Sequence, residues 1–308
     1  MKRNIYSYSK LWMILFVLMG AACTNQVEDA IPVSGQPIEF SVQSDWKEIL
    51  NTRSNDKTQF GPNDEIQIFG FHKPFQGAGE NVQFMYQEGD PTTGQKVVYN
   101  GKDWDYTPKR FWPKKGVLDF FASYPYNSIH YDVGNKRMTY ENNLTQDLLY
   151  GLATDRDRAK GDPVPIWMVH ALAKVRIILD KSLGDIGTVQ VFGYKTGHFS
   201  PMNNNKGVPV WEIDDNTHIY ADFRKYEGKV DEELKNNNSV TVFILPDKIT
   251  GLKMWNSLGD EIDASAKIKD LKFEAGKVYN LTISKSNGVR KKNTNSRSIA
   301  MSVRCVSE

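Results

Sequence analysis

Apolar and polar residues alternate over short runs along most of the chain, the period of a strand with one buried face. Ile38, Phe40 and Val42 share one side of the first such run; in the next, Ile66, Ile68 and Gly70 share one side, and Phe69 and Phe71 take the other. The pattern predicts further strands over 82–86, 96–100, 104–106, 117–124, 147–152 and 168–179, then over 171–179, 188–194, 208–213, 239–245, 252–256 and 278–283. Turn clusters separate them, among them Gly61-Pro62-Asn63-Asp64, Glu88-Gly89-Asp90-Pro91 and Asn100-Gly101-Lys102-Asp103, where Gly and Asn supply positive φ and Pro fixes the bend. Asn203-Asn204-Asn205 and Asn236-Asn237-Asn238 read as solvated loops. No stretch repeats apolar residues at helical spacing over three turns, so the expected class is all-β, built as antiparallel sandwiches.

A chain of 308 residues exceeds what one core usually organises, which points to two domains. The charged run Asp155-Arg156-Asp157-Arg158-Ala159-Lys160-Gly161-Asp162-Pro163 is the expected boundary, giving domains over 37–160 and 161–287. After Ile283 the alternation stops, and 288–308 reads as a basic tail with a short strand expected within 299–306. Cys305 is read as a free thiol in that tail.

The N-terminus carries an address. Lys2, Arg3 and Lys10 precede the apolar run Leu11 to Met19, which ends in Gly20, Ala21 and Ala22 and is far shorter than the roughly 20 residues that span a bilayer. Residues 1–22 therefore read as a signal peptide. Gly20-Ala21-Ala22-Cys23 resembles the bacterial lipobox, with Gly20 in place of the usual Leu, and makes Cys23 the expected lipidation site. Two or three acyl chains hold a protein to a membrane almost permanently at about 0.8 kcal/mol per buried methylene. Residues 23–36 read as a tether, and Glu28 and Asp29 resemble the acidic surface-export signal of lipoproteins in Gram-negative anaerobes. The expected location is the surface of the outer membrane. Only two cysteines exist, so acylation of Cys23 leaves no pair for a disulfide, and the fold rests on core burial.

Charge and motifs add little chemistry. Against 39 basic residues stand 37 acidic ones, too even a balance for nucleic-acid binding to be expected. His72, His130, His170, His198 and His218 have no zinc-site spacing, and neither a Gly-x-Ser-x-Gly elbow nor a phosphate-cradling loop is present. No catalytic residue, metal or cofactor is expected. Loop acids such as Asp103, Asp119, Asp214 and Asp215 are common to strand-rich domains. The aromatic cluster Trp104, Tyr106, Phe111, Trp112, Phe120, Phe121, Tyr124 and Tyr126 is read as core, its alternative being a sugar-stacking platform.

Asp64 to Phe71, Trp104-Asp105-Tyr106 with Phe111-Trp112-Pro113, and Asp119 to Pro125 are together similar to the fimbrillin-like proteins of type V pili. Gln146 to Tyr150, Val169 to Val175 and Ala275 to Leu281 follow at the places that family leads one to expect. The resemblance implies two tandem transthyretin-like β-sandwiches, exported as a lipoprotein, from which a surface protease removes the first strand after an arginine. Arg53, followed by Ser54, resembles that site. Loss of the strand around Ile38 to Val42 would leave an apolar groove for a strand of the next subunit, and a filament would grow by strand addition. The implied function is a structural or accessory pilus subunit with a role in adhesion, with shaft, anchor and tip positions open. Its partners would be other pilus subunits, the outer membrane through the lipid, and a surface glycan or protein receptor. A monomeric surface glycan-binding lipoprotein is the alternative.

Overall fold

The computed structural model describes residues 33–44, 59–73, 82–160, 163–202, 204–205, 207–285, 288–293 and 303–304. Cys23, Arg53, Ser54 and Cys305, and with them the signal peptide, lie outside the described residues. The first strands are β1 (Val33–Pro37), β2 (Phe40–Ser44), β3 (Glu65–Lys73), β4 (Val82–Met85), β5 (Gln95–Tyr99), β6 (Trp104–Asp105), β7 (Phe111–Pro113), β8 (Val117–Tyr124), β9 (Ile129–Asp132), β10 (Arg137–Glu141), β11 (Leu149–Arg156) and β12 (Val164–His170). They are followed by β13 (Ala173–Leu179), β14 (Ile186–Tyr194), β15 (Thr196–Phe199), β16 (Asn204–Asn205), β17 (Val208–Pro209), β18 (Glu212–Ile213), β19 (His218–Arg224), β20 (Ser239–Ile244), β21 (Gly251–Asn256), β22 (Glu261–Asp263), β23 (Val278–Ser284), β24 (Gly288–Asn293) and β25 (Val303–Arg304).

The chain is all-β, and its first sheet closes on itself. Neighbours run β3-β5-β6-β2-β12-β11-β8, and β8 pairs back to β3, with β4 continuing the β5 side of β3. Closure covers most strand edges of the ring. The two-residue period of β3 explains the layering around it. Ile66 and Ile68 point into the ring, with Phe40, Val97, Trp112, Phe120 and Ile166, while Phe69 and Phe71 point out. The outward side chains join Phe121 and Tyr150 beneath a second sheet, β18-β15-β10-β9, which contributes Ile129, Tyr140 and Phe199. Gln67 is buried with them and ties the layers by donating to Ser123 Oγ and to the Ile129 carbonyl, each at 2.8 Å.

The remaining strands form a sandwich. The sheet β20-β13-β23-β24-β25 faces the sheet β19-β14-β21-β22 across a core that draws Val175, Ile177, Val242 and Leu281 from the first and Val189, Val191, Phe223 and Met254 from the second.

Several expected boundaries differ. The charged run 155–163 connects β11 to β12 in an antiparallel hairpin, so the cut expected at 160/161 falls inside the ring. The run reads as a linker because a polar hairpin connection has the same composition as one. The pairing of β10 with β15 further joins the two halves through one sheet. The tether expected over 23–36 is strand from Val33 onward, paired with β7. The basic tail expected over 288–308 begins as β24, paired with β23 from Tyr279 to Ser284, and β25 extends that sheet. Asn236 and Asn237 end a helix over Glu232–Asn237, held by Leu234 in the core and by Asp231, whose carboxylate accepts from the Leu234 N–H at 2.7 Å. Among the described residues the pairing of named strands is mostly antiparallel, with two parallel strand pairs, β2 with β12 and β13 with β23.

Candidate functional site

The place where an N-terminal strand completes the ring is built from β2 upward. Ile38, Phe40 and Val42 all face the interior, as their spacing predicts, and are 0%, 4% and 8% exposed. Phe40 meets Phe120 edge-on, with ring centroids 5.2 Å apart, and lies 5.9 Å from Tyr106. Tyr106 is buried and its hydroxyl donates to the Ile38 carbonyl at 2.8 Å, while the Ile38 N–H donates to the Arg110 carbonyl at 2.8 Å.

The two edges of β2 are held unequally. On one side it runs parallel to β12 in continuous register from Phe40 opposite Val164 to Ser44 opposite Met168, and the Val164 N–H reaches the Glu39 carbonyl at 2.7 Å. On the other side its ladder contact with β6 is a single pair, Phe40 opposite Trp104. Past that pair the sheet opens into a cleft of about 530 Å³ lined by Ser41, Gln43, Ser44, Phe60, Tyr99 and Trp104. Gln59 and Ser44 both border the cleft, and they are the described residues on either side of 45–58, the segment that contains Arg53 and Ser54. Geometrically the arrangement is a slot between β6 and β12 filled by the chain's own N-terminal strand. Backbone pairing supplies affinity, and alternate side chains in pockets supply register.

The groups considered for chemistry do not converge. Among the described residues no group of three or more His, Cys, Asp or Glu is placed to hold a metal ion. Asp119 is buried and occupied structurally, with Lys73 Nζ 2.9 Å from its carboxylate and the Asp155 N–H donating to it at 2.8 Å. Burial alone would lower the Lys73 pKa, but hydrogen bonds to Asp155 and Asp119 outweigh it and leave the ammonium raised, while the same bond lowers Asp155. Asp214 caps a turn by accepting from the Asn216 N–H at 3.0 Å. His170 meets Asp147 at 2.5 Å, and His198 meets the Thr139 hydroxyl at 3.0 Å; burial, then Arg137, lowers the His198 pKa. Of the aromatic cluster, Trp104, Tyr106, Trp112, Phe120 and Phe121 are buried. The exposed aromatics that sequence reasoning missed are Trp167, Tyr220 and Tyr226. The alternation His218-Ile219-Tyr220-Ala221-Asp222-Phe223-Arg224 was the signal that would have found Tyr220.

A family model described as fimbrillin-like matches residues 52–300. No curated protein sequence matches. Among solved structures, a candidate cell adhesion protein from Bacteroides uniformis ATCC 8492 is 16% identical and superposes with a TM-score of 0.52, covering 84% of this chain and 97% of that one. Another, from Bacteroides ovatus ATCC 8483, is 13% identical with a TM-score of 0.51 and covers 89% and 99%. At these identities the likeness is one of fold.

Proposed function

The chain belongs to the fimbrillin-like family of cell-surface pilus and adhesion proteins, which are structural and not enzymes, and from that premise we propose that it is a pilus subunit whose assembly is triggered by proteolysis and completed by strand exchange. The observation that supports this reading is the position of β2: an N-terminal strand that completes a closed ring, with its Phe40 and Val42 and the preceding Ile38 in the ring's core and a single ladder pair on one edge. Cleavage between Arg53 and Ser54 would leave β2 attached to the rest of the fold by non-covalent forces alone. A strand arriving from another subunit could then take the slot if it ran parallel to β12 and carried apolar residues at every second position. Such a contact is head-to-tail and does not close, so it propagates. Cys23 would carry the lipid that delivers the subunit to the outer surface. A shaft subunit would lose that anchor with the cut, and an anchoring subunit would keep both.

Limited trypsin digestion that cuts after Arg53 should convert the monomer into concentration-dependent oligomers on size exclusion, while Arg53→Ala under the same protease stays monomeric. A fully cut protein that remains a folded monomer at every concentration would overturn the reading.

A further inference from the structure

The outer face of the β19-β14-β21-β22 sheet presents aromatic rings in two places, with a polar row between them. At one end Phe192 pairs across the ladder with Tyr220, their rings 5.5 Å apart and inclined by 33°, and Tyr220 is 56% exposed. The opposite neighbour of Phe192 is Gly251, where a Cβ would stand 3.2 Å from the Phe192 ring; the bare backbone is what lets that ring lean across β21. At the other end, Trp255 stands beside Thr188, on the same outward parity as Phe192. Tyr226, also 56% exposed, lies over Gly187, 3.5 Å from the place a Cβ would take. Between the two ends runs the row Asp222, Gln190 and Lys253. From Thr188 to Phe192 is four residues of strand, about 13 Å at a rise of roughly 3.3 Å per residue.

Most charges on this face are matched in pairs, Asp263, opposite Lys253 on β22, being the exception among those described. Arg224 meets Asp222 at 2.8 Å, Lys253 meets Glu261 at 3.0 Å, and Lys225 meets Asp185 at 2.7 Å. A surface so compensated offers no net field to a polyanion or a basic partner. Nor does it offer the contiguous apolar patch of a protein interface, because the polar row divides the rings. What complements it is a neutral molecule whose repeating unit has an apolar face for stacking and hydroxyls for the row between.

We propose that this sheet face is a binding platform for a neutral polysaccharide, with Tyr220 and Phe192 stacking one sugar ring, Trp255 and Tyr226 stacking another, and Gln190, Asp222 and Lys253 taking hydroxyls between them. The platform belongs to a different sheet from β2 and does not depend on strand exchange, so the test uses the uncut full chain.

Native electrophoresis through gels containing mannan, dextran or mixed-linkage β-glucan should retard the protein in at least one of the three, and polygalacturonate should not. Tyr220→Ala and Trp255→Ala should each weaken that retardation at least tenfold in apparent Kd with thermal unfolding unchanged, and Tyr220→Phe should keep it. Trp167→Ala, an exposed tryptophan on β12, serves as the control that retains binding. Retardation by none of the three neutral polymers, retardation by polygalacturonate alone, or wild-type binding in both alanine variants would overturn the proposal.

Discussion

Phe40→Ala is the most direct perturbation of the slot. Phe40 is 4% exposed, packs edge-on against Phe120, and is the residue through which β2 meets both β6 and β12. Truncating a buried Phe removes its transfer free energy and leaves a cavity, which together cost about 3–5 kcal/mol. The upper part of that range is expected here, because Phe120 sits on β8, which is paired on both sides, and Tyr106 is held by its hydrogen bond to the Ile38 carbonyl, so both rings collapse poorly into the void. Phe111→Ala on β7 is the control: Phe111 is 36% exposed, and a surface truncation of this kind costs about 0.5 kcal/mol. Urea unfolding followed by near-ultraviolet circular dichroism reads both, with the transition of the ring resolved from that of the second sandwich if the two do not melt together. The same substitution should accelerate oligomer formation after cleavage, since it weakens only the resident strand. A loss below about 1 kcal/mol for Phe40→Ala, or a loss equal to that of Phe111→Ala, would show that β2 is not seated as described and would refute the reasoning.

Tyr106→Phe removes the donor to the Ile38 carbonyl and should cost about 1–2 kcal/mol in the same assay, since a buried acceptor then loses its partner; an unchanged midpoint would count against that bond. The pairing of Lys73 with Asp155 sets an acid dependence. Asp155 has its pKa lowered by its bond to Lys73, so its contribution is present above the ordinary carboxylate range and is lost as pH falls through the lowered value, below about pH 4. Lys73→Met should therefore lower Tm by more at pH 7 than at pH 3; two parallel curves of Tm against pH would refute this.

What was legible followed from side-chain periodicity. The split of Ile66 and Ile68 from Phe69 and Phe71 correctly separates two cores on the two faces of β3, and the run 117–124 coincides with β8. What was not legible depends on partners remote in sequence. Nothing in Phe40 to Ser44 announces a parallel neighbour at Val164 to Met168, because alternation specifies a face and is silent on the strand alongside. β24 carries Arg290, Lys291 and Lys292, with no apolar alternation to report; it forms through backbone pairing along β23, which requires no apolar side chain. The helix Glu232–Asn237 is too short for a helical period, and its single anchor, Leu234, is invisible without the core that receives it. Arg53 was readable as a motif only, and the fold adds the fact that the segment bearing it is bounded by two residues on one cleft.

The unequal edges of β2 bear on how exchange could proceed. Ile38, Phe40 and Val42 each contribute about 1.5–3 kcal/mol by leaving water, a sum comparable with the whole stability of an ordinary domain, roughly 5–15 kcal/mol. A ring with its slot empty would forfeit that burial and expose the edge of β12, and the conformational freedom regained by the departing strand offsets only part of the loss. A long-lived vacancy is therefore the least favourable route. The alternative begins where β2 is already open, along Ser41 to Ser44 on the cleft side, where the ladder to β6 has ended. An incoming strand that gains contacts there as the resident strand gives up its pairing with β12 keeps the core covered throughout. On this route the protease does not provide the driving force. It removes the covalent tie that would otherwise return β2 to its place each time it frayed.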